Sequence, residues 1–372
     1  MTKISIKKID FWEPIIGNQE LNNIKKVLKM KWPNEGHFTR LLEKKVEKII
    51  KVKHAICVTS GTISIFLALK SLNIGERDEV IVPDITFGAT AMAVKLAGAK
   101  LVIVDVNEND LGFDLKKLKK KINKKTKAII PVHISGRGAD IKSIKKIIKN
   151  KRIKIIEDAA EALFSKSNKK FLGTIGDLGC FSLTASKTIT TGQGGIIVTN
   201  NSKLYRKIKL LKNQGIEGRS DGGNVKHTCV GFNFKYTNLQ AAMGLAQIDT
   251  IKDRAKKLIR INKLYSKKLS NLKEISVLKF KFDKGEVPLW TDVIVKKNRD
   301  NLIKFLKKNH IECRKFWYPL HQQRPFKDSN KYFETSTLIS KKLFWLPSSM
   351  NLTEKKINYI CNLIKMFYRK DE

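Results

Sequence analysis

Acidic residues are scarce in this chain. Across 372 residues, 34 Asp and Glu face 75 Lys and Arg, a formal net charge of +41. Cysteine is also sparse: the five residues Cys57, Cys180, Cys229, Cys313 and Cys361 are scattered and form no CxxC pair. An odd, dispersed set argues against a disulfide scaffold or a zinc site and fits a reducing cytoplasm. No apolar run reaches the ~18 residues of a membrane helix, since Lys95 and Lys100 interrupt the longest candidate. The opening MTKISIKKIDFWEP lacks the apolar core of a secretory signal. No GxSxG elbow precedes a helix, which argues against a Ser-His-Asp hydrolase. Internal repeats and low-complexity linkers are missing too. So large a positive charge raises nucleic acid or another polyanion as a partner. Yet there is no arginine-rich motif and no aromatic-basic stacking pattern, and Lys recurs in every segment. Even KKLKKKINKKTK (Lys116–Lys127) keeps an apolar stripe with Leu118 and Ile122. The charge reads as a solvated surface, with neither nucleic acid nor membrane as partner.

What is present is enough for a large core. Hydrophobic residues make up 42% of the chain and charged residues 29%, which excludes wholesale disorder. Short β-branched runs alternate with longer amphipathic stretches: HAICV, EVIVP, KLVIVDV, KAIIPVH and KIIED, with helical patterns between them. That alternation is the signature of an α/β fold with a mainly parallel sheet covered on both faces. After Asp158 the pattern changes. CFSL and GGIIVTN are separated only by the Gly- and Thr-rich TASKTITTGQGG, and EGRSDGGNVKHT (Glu217–Thr228) reads as a mobile loop. Thr237–Leu269 reads as a helical link. Residues 1–248 would form a large cofactor-binding domain and 249–372 a small C-terminal α/β domain.

Ligands of open α/β sheets bind beyond the carboxyl ends of strands. Ser60, Gly61 and Thr62 stand after HAICV where a helix begins, a place for an anion or an ordinary helix cap. Asp158 ends a very apolar strand. Lys187, in Ser186-Lys187-Thr188 ahead of Gly192-Gln193-Gly194-Gly195, sits where the chain must turn tightly beside the sheet. A lysine desolvated there becomes nucleophilic toward a carbonyl. Ser182 offers a hydroxyl to a phosphate, and Phe87, in Thr86-Phe87-Gly88, offers a ring face. Together these are the parts of a pyridoxal 5'-phosphate site: a Schiff-base lysine, a carboxylate for the pyridine nitrogen and a phosphate cradle. His133 and His54 read as structural, and no metal site is indicated.

The same segments carry a family resemblance. HAICVTSGTISIFL (His54–Leu67), VIVPDITFGATA (Val80–Ala91), KAIIPVHISGRGAD (Lys127–Asp140), IEDAAEA (Ile156–Ala162), GDLGCFSLTASKTITTGQGG (Gly176–Gly195) and GFNFKYTNLQAAMGLAQ (Gly231–Gln247) resemble the DegT/DnrJ/EryC1/StrS sugar aminotransferases. Within that family, EDAAEA, KTITTG and Tyr318-Pro319-Leu320-His321 are most similar to the perosamine synthase group, which aminates a 4-keto-6-deoxy nucleotide sugar.

The resemblance implies a fold type I aminotransferase, a homodimer with shared sites, taking L-glutamate and a nucleotide-linked keto sugar. By motif position Lys187 is the Schiff-base lysine, Asp158 the pyridinium partner and Phe87 the stacking ring. Thr62 and Ser182 bind the phosphate, Asn233 reaches it from the neighbouring subunit, Glu161 lies near cofactor and substrate, and His321 approaches the sugar. Departures are Gln193 where the family has Glu, Lys235 where Arg is common, LTASK where perosamine synthases read FFGNK, and VHISG where they read VHLYG. They bear on the sugar-selecting lining. Two rivals remain: a related dehydratase, typically with His in place of Lys187, and a non-catalytic, polyanion-binding regulatory protein.

Overall fold

The computed structural model describes residues 8–149, 152–217, 225–328 and 332–369. The helices are α1 (Asn18–Lys29), α2 (His37–Ile50), α3 (Gly61–Ser71), α4 (Ala89–Leu96), α5 (Leu115–Lys121), α6 (Ile141–Ile147), α7 (Ser202–Lys212), α8 (Asn238–Asp249), α9 (Ile251–Leu269), α10 (Arg299–Lys308), α11 (Glu334–Ser340) and α12 (Glu354–Arg369). The first nine strands are β1 (His54–Val58), β2 (Glu79–Pro83), β3 (Lys100–Val104), β4 (Thr126–Ile129), β5 (Lys154–Asp158), β6 (Lys166–Ser167), β7 (Lys170–Phe171), β8 (Leu178–Ser182) and β9 (Gly195–Thr199). They are followed by β10 (Ile275–Val277), β11 (Thr291–Val295), β12 (Arg314–Lys315) and β13 (Leu343–Leu346).

Seven strands form one sheet in the order β1-β9-β8-β5-β4-β2-β3. β3, β2, β4, β5 and β8 pair in parallel. The central strands are buried along nearly their whole length, with apolar centres, because helices cover both faces: α3 and α4 pack on one, α2 and α8 on the other. The architecture is the expected α/β one, with a twist at one end: β9 runs against both neighbours, β8 and β1. A continuous apolar run such as GIIVT reads the same in either direction, so this reversal has no sequence signal of its own.

The helical stretch expected over Thr237–Leu269 is two helices. α8 stops at Asp249, and Thr250 turns the chain, its Oγ1 donating to the Gln247 carbonyl at 2.9 Å and accepting from Arg254 Nε at 2.9 Å. A threonine hydroxyl that bonds neighbouring groups in this way competes with helix continuation. α9 then packs with α10 and α12 against a four-stranded antiparallel sheet, β10-β11-β13-β12, around Tyr265, Val293, Phe344 and Ile360. The start of the described chain joins that same core through Ile9, which bridges to Ile311, while Phe11 packs on Trp290 in a neighbouring cluster. Of the segment Glu217–Thr228, residues 218–224 lie outside the described residues. Among the described residues no helix is long and apolar enough to cross a membrane.

Candidate active site

The reversal of β9 brings the first residue of that strand, Gly195, opposite both Val58 of β1 and Ser182 of β8. The start of α3 presses onto this point. A Cβ at Gly195 would lie 2.3 Å from the Ser60 carbonyl oxygen, and one at Gly61 would lie 2.9 Å from the Ser182 Cβ. A side chain at either position would lift α3 off the sheet. Ser60 is the N-cap, its Oγ accepting from Ile63 N–H at 3.2 Å. Gly61 and Thr62 form the first turn, whose N–H groups have no intrahelical acceptor, at the end of the helix that favours anions. These three residues and Ser182 line one end of a cavity of about 420 Å³.

Asp158, the last residue of β5, lines the same cavity and is 5% exposed. Its Oδ2 accepts from Thr90 Oγ1 at 2.6 Å and its Oδ1 from Ala160 N–H at 3.1 Å. Burial pushes its carboxyl above the ordinary carboxylate range, while Thr90, the Ala160 amide and the charge of Lys187 pull the other way. A buried carboxylate in this state is a receptor for a cationic N–H.

Lys187 stands in the return from β8 to β9, and that loop is gripped from three directions. Trp12 Nε1 donates to the Ala185 carbonyl at 3.0 Å. Arg254 Nη1 donates to the Thr188 carbonyl at 3.4 Å, and Thr190 N–H donates to Gln247 Oε1 at 2.8 Å. The Lys187 side chain is thereby held in the cavity and donates to Glu161 Oε1 at 3.3 Å. Glu161 also accepts from Trp290 Nε1 at 3.0 Å and Ser135 N–H at 2.9 Å. Phe87 stands at the rim, 63% exposed, its ring 6.4 Å from that of Trp317.

The opposite wall was not foreseen from the sequence. Phe11, Trp290, Arg314, Trp317 and Trp345 complete the lining. They come from the start of the chain and from the small sheet, and Trp317 meets Trp345 edge-on at 5.1 Å. The available signal was tryptophan itself: three of the five in the chain line this cavity and Trp12 holds the loop beside it.

Two expected site residues do not reach the cavity of their own chain. Asn233 is exposed, on a segment that bridges back to Asn213. His321, expected near the sugar, is fully buried instead. Its Nδ1 lies 2.6 Å from Asp84 Oδ2, its Nε2 lies 3.2 Å from Thr337 Oγ1, and its ring stacks on Phe333. Both ring nitrogens are engaged, so His321 ties the 318–321 segment to Asp84 rather than facing a ligand. His133 is likewise structural: its Nε2 lies 2.8 Å from Glu157 Oε2, and its Nδ1 accepts from Ala139 N–H at 3.1 Å. His54 stacks on Tyr205.

The residues present suit pyridoxal phosphate. A glycine-opened helix start, a buried strand-end carboxylate and a lysine share one cavity of suitable size. A Streptococcus pneumoniae protein solved in its pyridoxal phosphate form has the same fold, with a TM-score of 0.92 over 98% of this chain and 99% of that one at 24% identity. The class is that of pyridoxal phosphate-dependent aminotransferases of fold type I. Residues 14–365 match the model of the DegT/DnrJ/EryC1/StrS aminotransferase family, and the chain belongs to that family. It is 33% identical to the GDP-perosamine synthase of Escherichia coli O157:H7, over 98% of this chain and 99% of that protein. It is also 33% identical to the GDP-perosamine synthase of Vibrio cholerae, over 97% and 99%.

Proposed function

We propose that this aminotransferase moves the amino group of L-glutamate to C4 of a 4-keto-6-deoxy nucleotide sugar, as a homodimer in the cytoplasm. The full-length likeness to two GDP-perosamine synthases supports the substrate class. The observation that carries the reaction type is Lys187 Nζ in the same cavity as the buried carboxylate of Asp158. A dehydratase of this family would have His in place of that lysine.

Pyridoxal phosphate, when bound, supplies an electron sink that makes the hydrogen on an amine-bearing carbon acidic. In this reading Asp158 would hold the protonated ring nitrogen and so keep the sink effective. Gly61, Thr62 and Ser182 would hold the phosphate, and Phe87 would stack on the ring. Lys187 Nζ, besides anchoring the cofactor, would pass the proton from the donor's Cα to the cofactor in the first half-reaction, and from the cofactor to the sugar carbon in the second. Glu161 orients Nζ in both directions. The wall of Trp290, Trp317 and Trp345 keeps water from the reacting carbon and forms one side of the sugar site. Asn233, exposed on its own chain, serves the phosphate in the cavity of a second copy.

The test is a panel of 3-keto and 4-keto nucleotide sugars offered with L-glutamate, reading 2-oxoglutarate formation and the amination position by NMR. Turnover only with 4-keto-6-deoxy sugars is expected. Amination at C3, or loss of a hydroxyl without transfer of nitrogen, would overturn it.

A further inference from the structure

Behind Glu161 lies a second buried carboxylate, Asp292 on β11, which is not itself part of the cavity lining and does not contact the lysine. Asp292 is fully buried and is met by three donors. Trp345 Nε1 donates to its Oδ1 at 2.6 Å, Ser135 Oγ donates to the same oxygen at 2.8 Å, and Arg137 Nη1 donates to Oδ2. Arg137 is buried as well, its other nitrogens donating to the carbonyls of Leu278 and Lys279 and its guanidinium lying 3.9 Å from the Phe280 ring centre.

Ser135 is the joint of this arrangement. It has φ +53° and ψ +17°, in the left-handed region that a non-glycine residue occupies only when its surroundings hold it there. Two contacts do so: its Oγ is bound to Asp292, and its carbonyl accepts from Leu289 N–H at 2.8 Å. In that conformation its N–H points at Glu161 Oε2, 2.9 Å away. The other oxygen of Glu161 faces Lys187 Nζ. The charged groups acting around Glu161 are thus Lys187 and, at longer range, Asp158 and Asp292.

We propose that Asp292 is a positioning residue for the transamination: through Ser135 it fixes Glu161, and through Glu161 it sets the orientation of Lys187 Nζ. The same carboxylate holds Trp345, so the aromatic wall from the small sheet and the lysine from the large sheet share one anchor. Ser135 also stands at one of the departures from the perosamine synthases, where VHISG replaces VHLYG.

The experiment uses the whole protein loaded with pyridoxal phosphate. It reads the pH midpoint of the bound cofactor's visible band, and kcat separately from KM for the amino donor. Asp292→Asn is expected to lower the midpoint by about half a pH unit or more, because a carboxylate no longer held against Nζ supports the charged form less. It is also expected to lower kcat about tenfold while KM changes less than about twofold. In a Glu161→Gln background the same substitution should change neither quantity, since the intermediary is gone. Asp292→Asn leaves Arg137 without its charge partner, so Ser135→Ala is the companion variant. It keeps that ion pair, removes only Oγ, and decides the question if the first variant does not fold, with a midpoint shift in the same direction. A lowered melting temperature with an unmoved midpoint, or equal effects with and without Glu161, would overturn the positioning role. This inference rests on the aminotransferase reading above, but the spectral arm needs only bound cofactor. A protein that passes the midpoint test and aminates no keto sugar would sink the substrate proposal alone.

Discussion

The two walls of the cavity are made differently. One is built from the ends of β1, β5 and β8 and consists of short polar groups: Ser60, Gly61, Thr62, Asp158 and Ser182, with Lys187 on the loop that follows. The other is aromatic, and its members come from positions as far apart as Phe11 and Trp345. In the proposed reaction each group of the first wall has a separate chemical task, and the strand ends fix its place. In the second, bulk and flatness would matter, and several side chains would share the work of excluding water. Loss of one member should therefore stop the chemistry on the first side and only blunt selectivity on the second.

The largest effect is expected at Lys187. Lys187→Ala should lower turnover by roughly 10³-fold or more, since a positioned proton carrier is worth about 10²–10⁴ and in the proposed mechanism this one also anchors the cofactor. It should remove the lysine-dependent visible band while cofactor is still retained by the phosphate cradle. The same change at the exposed Lys119 should leave turnover unaltered. Transaminase activity persisting in Lys187→Ala would break the contrast at its root.

Asp158→Asn comes next, with turnover lowered by roughly 10²-fold, the order for loss of a preorganised electrostatic partner. Its effect on stability should have the opposite sign. Burial raises the folded-state pKa of this carboxyl above its ordinary value, so the folded protein binds the extra proton more tightly than the unfolded chain. Well below the ordinary value both states are protonated and the burial imposes no penalty. As pH rises through the ordinary value toward the raised one, wild type loses stability that the Asn variant keeps. Cofactor-free Asp158→Asn should therefore melt a few degrees higher at neutral pH, by roughly 2–4 °C per kcal/mol, and the difference should close on acidification. Melting curves from pH 4 to 8 give the answer, and a gap that widens toward low pH would contradict the assignment.

On the aromatic side, Trp317→Ala should raise KM for the nucleotide sugar about tenfold, the scale for loss of apolar contact in a pocket, with kcat within about twofold of wild type. A fall in kcat as large as that of Asp158→Asn would erase the distinction between the walls. Smallest is Asn233→Ala. It should weaken cofactor retention about fivefold, the worth of one hydrogen bond, and leave the melting temperature unchanged. A monomer that keeps cofactor at high dilution would remove the reason to place Asn233 at a neighbour's site.

The same division explains what was legible in the sequence. Lys187 and Asp158 stood out because a lysine in a Gly- and Thr-rich return and an acid at the end of an apolar strand have few structural uses. Ser60 was readable as both a cap and an anion site; it is the N-cap of α3 and lines the cavity. Trp290, Trp317 and Trp345 gave no such sign: an aromatic beside a cavity and one in a core occupy similar apolar runs, and only the antiparallel pairing of β13 with both β11 and β12 brings these together. His321 was expected near the sugar from its motif position in the family resemblance, whereas Asp84 and Thr337 have taken up both ring nitrogens. The link through Ser135 to Asp292 depends on one residue's left-handed backbone, which no periodicity reports.

The reversed strand β9 has a consequence for how this enzyme can vary. Because Gly195 is paired on both sides, the stretch from Leu183 to Gly194 is a closed clasp, stapled by hydrogen bonds from Leu183 N–H to the Gly194 carbonyl and from Thr191 N–H to the Leu183 carbonyl. Adding or deleting one residue there would slip β9 by one position and turn each of the side chains of Ile196, Ile197 and Val198 to the opposite face. Spelling is free where spacing is not. LTASK in place of FFGNK is such a respelling at constant length. Sequence drift in the clasp can retune what the cavity accepts, whereas any change in its count would dismantle the sheet that carries the lysine.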